Sequence, residues 1–305
     1  MEHIFIINPA AGRGKAEKLI PLIRETLNET EYSYQIYITE KAGDTERYVQ
    51  EVCSRGEAVR FYVCGGDGSM NEAVNGARGY AQAEIGLFPV GTGNDFVRNF
   101  GKKERFLNVI SQVQGESMVC DTILLNDRYV VNMANIGFDC EVVASCNQWK
   151  KKTFIGGPAA YLLGILSEFM KPMGKQMSFR RADGTTFTGT FLLCTIANGS
   201  FCGGGFCSSP RASLSDGLMD VGVVEMISRR KFIGILPKYK TGTYLETKIG
   251  KEKVNYEKCD ILEIAVAEPT NISIDGELSK FTYLKAEMVP QAFRFIVPKE
   301  REEEK

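Results

Sequence analysis

At 305 residues the chain exceeds what one small core usually organises, so two domains are expected. Its 37 basic and 38 acidic residues leave a formal charge of −1, which excludes a whole-molecule field that draws in nucleic acid. Nine scattered cysteines and an acidic residue in the opening MEHIFIINPAAG, where a secretory signal carries basic ones, point to reduced thiols and a cytoplasmic protein.

The first hundred residues alternate. HIFIINP is a short β-rich run ending at Pro9, and GKAEKLIPLIRETLNE follows with Ala16, Leu19, Ile20, Ile23 and Leu27 at helical spacing. Pro21 falls inside that pattern and predicts a kink or a shortened first turn. SYQIYIT reads as a strand, and GDTERYVQEVCSRG as a helix with Asp44 as N-cap and Gly56 as its stop. AVRFYV and AEIGLFPV read as strands around the helix SMNEAVNGA, and NDFVRNFG opens a further helix. Strands alternating with helices predict an α/β domain with a mostly parallel sheet.

After about Asp121 the rhythm changes. Asn126-Asp127 predicts a hairpin turn, and a helical segment is expected over 159–170. The longest apolar stretch, GGPAAYLLGILSEFM at 156–170, contains Glu168 and is too short to span a bilayer. Strands then dominate, with Asp183-Gly184 and Asp275-Gly276 as further hairpin signals, so a C-terminal antiparallel β-sandwich is expected. The basic segment ISRRKFIGILPKYKTG is a helical excursion from it, and KEREEEK reads as a solvated tail.

Ligands of open parallel sheets bind beyond the carboxyl ends of the strands. Four polar loops fall there: NPAAGRGK, the stretch from Thr39 to Asp44, GGDGSMN and GTGND. Their glycines let main-chain N–H groups approach a phosphate, which a helix N-terminus then cradles. Asp67, amid those glycines, would be repelled by a triphosphate, by about 4 kcal/mol at ~4 Å with an effective dielectric near 20. A divalent cation between them, Mg²⁺ by preference, resolves that conflict. Asp95 and Asp121 are further acids at strand ends; each alone reads as a cap or turn residue. Neither the G-x-x-x-x-G-K-[ST] phosphate loop nor G-x-G-x-x-G is present.

GGDGSMNEAVNG, GLFPVGTGNDFVRNFG and INPAAGRGK together resemble the catalytic domain of soluble bacterial diacylglycerol kinases and related lipid kinases, whose superfamily includes sphingosine and ceramide kinases. ANGSFCGGGFCSSPRASLSDGLMDVGVV and SIDGE stand where that family has its second-domain signatures, so the resemblance runs nearly the whole chain. It implies an NAD kinase- and phosphofructokinase-like nucleotide domain over 1–123 plus 292–305, with a β-sandwich lipid domain over 124–291. It implies ATP contacts at Asn8, Pro9, Ala10, Ala11, Gly12, Thr39, Gly65, Gly66, Asp67, Gly68, Ser69, Met70, Asn71 and Thr92. Thr45 lies close enough to Thr39 to leave that loop's alignment open, and Ser69 keeps the hydroxyl of the Thr that many members carry there.

The resemblance also implies a Mg²⁺–water network through Asp67, Asp95 and Asp121, with Glu277 as general base. In SLSDGLMD it implies a structural Mg²⁺ held by the Asp216 side chain and the carbonyls of Ser213 and Leu218. From the residues alone, SIDGE is a hairpin tip with a solvated acid and SDG a turn. The expected activity is transfer of the γ-phosphoryl of ATP to a lipid hydroxyl, diacylglycerol foremost; another lipid or a soluble acceptor, as in NAD kinases, is the alternative. A nucleotide-binding regulator without catalysis is the third reading. A lipid acceptor places the enzyme peripherally on the inner face of the membrane. Two basic runs suit anionic phospholipid: Lys171, Lys175, Arg180 and Arg181, then Arg229, Arg230, Lys231, Lys238 and Lys240 interleaved with Phe232, Ile233, Ile235 and Leu236. Family members are often dimeric, which leaves a homodimer open.

Overall fold

The computed structural model describes residues 1–152, 167 and 169–300. Its first part alternates β1 (Glu2–Ile7), α1 (Leu19–Leu27), β2 (Tyr34–Ile38), α2 (Asp44–Cys53), β3 (Val59–Gly65), α3 (Asp67–Gly76) and β4 (Ala83–Pro89). The strands pair in parallel in the order β2, β1, β3, β4. Ile4 and Ile6 of β1 pack to one side with Val49, Val52 and Met70, while Phe5 and Ile7 pack to the other with Ile23 and Leu27. Burial on both faces is why these strands read as nearly continuous apolar runs. Pro21 falls in the first turn of α1, where its missing N–H costs no helical bond.

Two local expectations are corrected. Gly43, with φ at 80°, takes the N-cap position of α2, and Asp44 sits inside the first turn. Its carboxylate accepts from the Glu40 N–H, the Tyr37 hydroxyl and Arg47 instead of capping the helix. After Asp95 the chain makes a 3₁₀ turn (Phe96–Phe100) ended by Gly101, because Phe96 and Val97 are drawn into the core and leave no run long enough for an α-helix.

A short α4 (Val109–Val113) leads to β5 (Glu116–Leu125), which forms a hairpin with β6 (Arg128–Val130) over Asn126 at φ 55°. Then come β7 (Met133–Gly137), α5 (Phe138–Lys152), β8 (Lys175–Arg181), β9 (Thr186–Ala197), β10 (Phe201–Cys202), β11 (Phe206–Cys207) and β12 (Met219–Glu225). The chain closes with α6 (Arg229–Lys240), α7 (Lys248–Lys253), β13 (Val254–Cys259), β14 (Ile261–Ile274) and β15 (Glu277–Val297). Hairpins form at Asp183-Gly184 and Asp275-Gly276. The helix expected over 159–170 lies outside the described residues except at 167, 169 and 170, as does the tail beyond 300.

Long strands turn the second half into a two-layered structure. β9 pairs with β8 over 186–191 and with β7 over 193–197. β14 pairs with β8 near its start and with β7 near its end, and its register shifts between Ala265 and Thr270, where Pro269 offers no N–H. Ile136, Cys194, Ile196, Val221, Ile264 and Ile272 fill the space between the layers.

β15 joins the two halves. It leaves the tip at Gly276 beside β14, continues along β5, and ends parallel to β4 at Arg294 and Phe295. Its register against β5 shifts between Val289 and Phe293, where Gln291 has φ 55°. Asp121 of β5 faces that bulge, and its Oδ1 accepts the Gln291 N–H at 2.8 Å.

Candidate active site

Two glycine loops meet at the rim of the parallel sheet. A methyl at Gly91 would lie 2.5 Å from the Gly66 Cα, so the GGDG and GTGN backbones touch as only glycines allow. Gly12, at φ 60°, brings the NPAAG turn against the same rim; a Cβ there would meet the Val90 carbonyl at 2.0 Å. Asn8 donates to Ser69 Oγ at 2.8 Å and accepts the Ala10 N–H, tying that turn, with Pro9 and Ala11, to the start of α3. Gly65, Gly66, Asp67, Gly68, Ser69 and Met70 lie at the end of β3 and in the first turn of α3, and Thr92 lies in the bend between Gly91 and Gly93.

Asp67 opens α3, and its Oδ1 accepts the N–H groups of Asp95 (2.8 Å) and Phe96 (3.1 Å). A methyl at Gly93 would stand 2.9 Å from Asp67 Oδ2 and 3.2 Å from Asp95 Oδ2, so the two carboxylates flank one spot. Burial lifts the Asp67 pKa to about 6, and the Asp95 charge pushes the same way against the two N–H donors. Asp95 Oδ1 is buried without a hydrogen bond, with Arg98 Nε 3.2 Å away, and Asp95 Oδ2 accepts the Gly204 N–H at 2.9 Å. Two close carboxylates, one raised by burial and each with an oxygen beside the Gly93 spot, are a donor set that fits a divalent cation.

Glu277 reaches this rim from the second half of the fold. A methyl at Gly68 would lie 2.9 Å from Glu277 Oε1, so the acid at the start of β15 stands over the first turn of α3, one residue from Asp67. Asp275 holds it there. Its Oδ1 accepts the N–H groups of Asn132 and Met133 (both 2.9 Å), and its Oδ2 accepts Val131 N–H and Asn71 Nδ2 (both 2.8 Å). From its local sequence Asp275 is a hairpin tip. Its four partners are 142 to 204 residues away, and only the preference of Asp for turns at positive φ was visible locally.

Other expected residues fall elsewhere. The Asn71 side chain faces Asp275, the Tyr129 carbonyl and Arg128 within the junction, while its backbone lies in α3. Thr39 is buried with its hydroxyl on the Ile7 carbonyl, and Thr45 is buried in α2. Asp121 Oδ1 accepts the Gln291 N–H and its Oδ2 the Gly217 N–H at 2.7 Å, so its described contacts bind β5 to the SLSDG loop and the β15 bulge. Asp216 pairs with Lys258, and its Oδ1 accepts the Leu218 N–H at 3.2 Å; Ser213 precedes it in the same loop.

The chain's matches follow the two halves of the fold. Residues 2–125 match the diacylglycerol kinase catalytic domain, and residues 132–297 match the YegS C-terminal NAD kinase beta sandwich-like domain. A "probable lipid kinase YegS-like" protein of Pseudomonas aeruginosa (strain UCBPP-PA14) is 31% identical over 265 residues, covering 86% of this chain and 84% of that protein. The chain belongs to the diacylglycerol kinase and lipid kinase family. A diacylglycerol kinase of Bacillus subtilis (strain 168) is 27% identical over 303 residues, 98% of this chain and 97% of its own. The fold of this lipid kinase matches a crystal structure of a diacylglycerol kinase from Bacillus anthracis str. Sterne, with TM-score 0.69, 20% identity, and 97% and 96% of the two chains covered. Among the described residues no helix is long and apolar enough to cross a membrane.

The Asp67 environment predicts an inverted pH effect on stability. A carboxyl near 3.9 when unfolded and about 6 when folded binds more protons in the native state between those values. Stability therefore falls as pH rises through that window, and the cost is fully present above 6. Asp67→Asn removes it. In metal- and nucleotide-free buffer the variant is expected to be more stable than wild type at pH 7 by about 3 kcal/mol, with the gap closing towards pH 4. Denaturant titrations at the two pH values check this; equal stability at pH 7 refutes it.

Proposed function

We propose that this enzyme transfers the γ-phosphoryl of ATP to the hydroxyl of a lipid, with 1,2-diacylglycerol as acceptor and phosphatidic acid as product. The observation that carries this reading is Glu277 over Gly68, which puts a carboxylate from one half of the fold against the glycine rim of the other. Triphosphate oxygens would rest on N–H groups of the loops at 8–12 and 65–71 and on the N-terminus of α3. Asp67 and Asp95 would hold Mg²⁺, which neutralises phosphate charge when bound. Glu277 takes the proton of the lipid hydroxyl as its oxygen bonds to the γ-phosphorus, and the bond from that phosphorus to the β–γ bridging oxygen breaks to release ADP. Gly204, through its bond to Asp95, keeps the β10–β11 tip against the rim.

Labelled ATP and Mg²⁺ offered with diacylglycerol, monoacylglycerol, phosphatidylglycerol, ceramide and sphingosine in mixed micelles test the assignment. Label in phosphatidic acid above all other products supports it. Phosphorylation of a soluble acceptor such as NAD without lipid, or nucleotide binding without transfer, overturns it.

α6 supports a membrane-docking surface for the same enzyme. Arg230, Lys231 and Lys238 are exposed on it beside Ile233 (60% exposed) and Leu236 (37%). Arg229 is engaged with the carbonyls of Phe169 and Lys171, and the first basic run is largely consumed, with Lys175 on Glu141, Arg180 on Glu263 and Arg181 on Glu257. An anionic bilayer would gain about 1 kcal/mol per close basic side chain. Binding to phosphatidylglycerol vesicles is expected to fall with salt and with Arg230→Glu plus Lys231→Glu in a sedimentation assay. Salt-insensitive binding removes this face from the account.

A further inference from the structure

The family resemblance places a structural Mg²⁺ on the Asp216 carboxylate and two neighbouring carbonyls. The residues of this chain do not fit that ion. Both Asp216 oxygens are engaged, Oδ1 by the Leu218 N–H and Oδ2 by the Lys258 ammonium. The same ammonium lies 3.3 Å from Oδ2 of Asp220, which is fully buried. Asp220 Oδ1 accepts the Tyr256 hydroxyl at 2.6 Å, and the Arg211 guanidinium lies over the Tyr256 ring.

Sheet register puts the lysine there. Lys258 of β13 pairs directly across from Asp220 of β12, so their side chains rise from the same face. The four-carbon stem then carries the ammonium to the loop that holds Asp216. An ammonium is a compact point charge with three donors, which suits bridging two carboxylates. A Mg²⁺ on the same carboxylate would need an octahedron of oxygens and would stand against the lysine's like charge.

We propose that in this chain the Lys258 ammonium replaces the divalent ion, so that the second half of the fold is clamped without metal. The clamp matters because its loop braces the junction. The Leu214 carbonyl accepts the Asp121 N–H, and the Gly217 N–H donates to Asp121 Oδ2, both at 2.7 Å; Asp121 in turn holds the β15 bulge. β15 is the strand that begins at Glu277, so the ammonium steadies the path from the sandwich to the parallel sheet. Chelators would then act on this enzyme only through the metal that accompanies the phosphoryl donor.

Thermal melts of nucleotide-free protein, in excess EDTA and in excess Mg²⁺, test this without reference to activity. Apart from any shift that persists in Asp216→Asn, which belongs to the Asp67–Asp95 pair, wild type is expected to melt at one temperature in both. Lys258→Met strands Asp220 without a cation and is expected to melt about 5 °C lower in both media. Should that variant not fold, Lys258→Gln, which keeps a donor but no charge, takes its place with the same expected direction. A fall of the wild-type Tm in EDTA that Asp216→Asn abolishes overturns the proposal, as does a Lys258 variant that melts like wild type. A chelator effect that persists in Asp216→Asn belongs to another site and, with the Lys258 variant lowered, leaves the clamp in place.

Discussion

Glu277→Gln is expected to lower turnover roughly a hundredfold or more while ATP affinity stays nearly constant. The substitution keeps the size of the side chain and its capacity to accept one hydrogen bond, so the contact over Gly68 persists. It removes the carboxylate proposed to take up the hydroxyl proton. A loss confined to kcat marks an interaction made in the transition state, whereas a rise in KM alone would mark uniform binding. Single-turnover measurements at saturating ATP and acceptor, with calorimetric titration of nucleotide, separate the two. Near-normal turnover in the variant removes Glu277 from the chemistry.

Asp275→Ala is expected to cost about 3–5 kcal/mol, because four donors lose their acceptor inside the protein. Alanine is also strained at the φ of 46° that Asp275 adopts. A fall in Tm of about 10 °C or more follows from that range. Both Asp275 oxygens are taken up by Asn71 and the N–H groups of residues 131–133, so its part is to position Glu277, two residues on. Turnover should therefore fall in the folded fraction as well, and Asp275→Asn, which tolerates positive φ and keeps one acceptor, should recover part of both losses. An alanine variant with wild-type Tm and turnover would return SIDGE to an ordinary hairpin.

Local signals read well where the cause is local. The turn pairs Asn126-Asp127, Asp183-Gly184 and Asp275-Gly276 each close a hairpin, since positive φ and side-chain turns are properties of a few consecutive residues. Apolar runs and helical spacing located β1, β3, β4, α1 and α3, because burial on one or two faces leaves a period in the chain. The same reasoning misplaced the cap of α2 and the helix after Asp95, where tertiary partners of Asp44, Phe96 and Val97 outweighed their propensities.

The candidate site was visible as loop chemistry: glycines and acids at strand ends, in an order that resembles a lipid kinase. What the sequence alone determined is the alternation of elements, the turns, the glycine rim and the identity of the acids, all of which depend on residues within one helical turn or one strand of each other. Only the tertiary structure decided which acids stand together. Asp67 and Asp95 share a spot, Glu277 crosses from a strand two hundred residues away, Asp121 turns to the β15 bulge, and Lys258 occupies Asp216. Those choices follow from strand order and register, and a carboxylate's role follows from the charges and N–H groups that distant segments bring within about 3 Å of it.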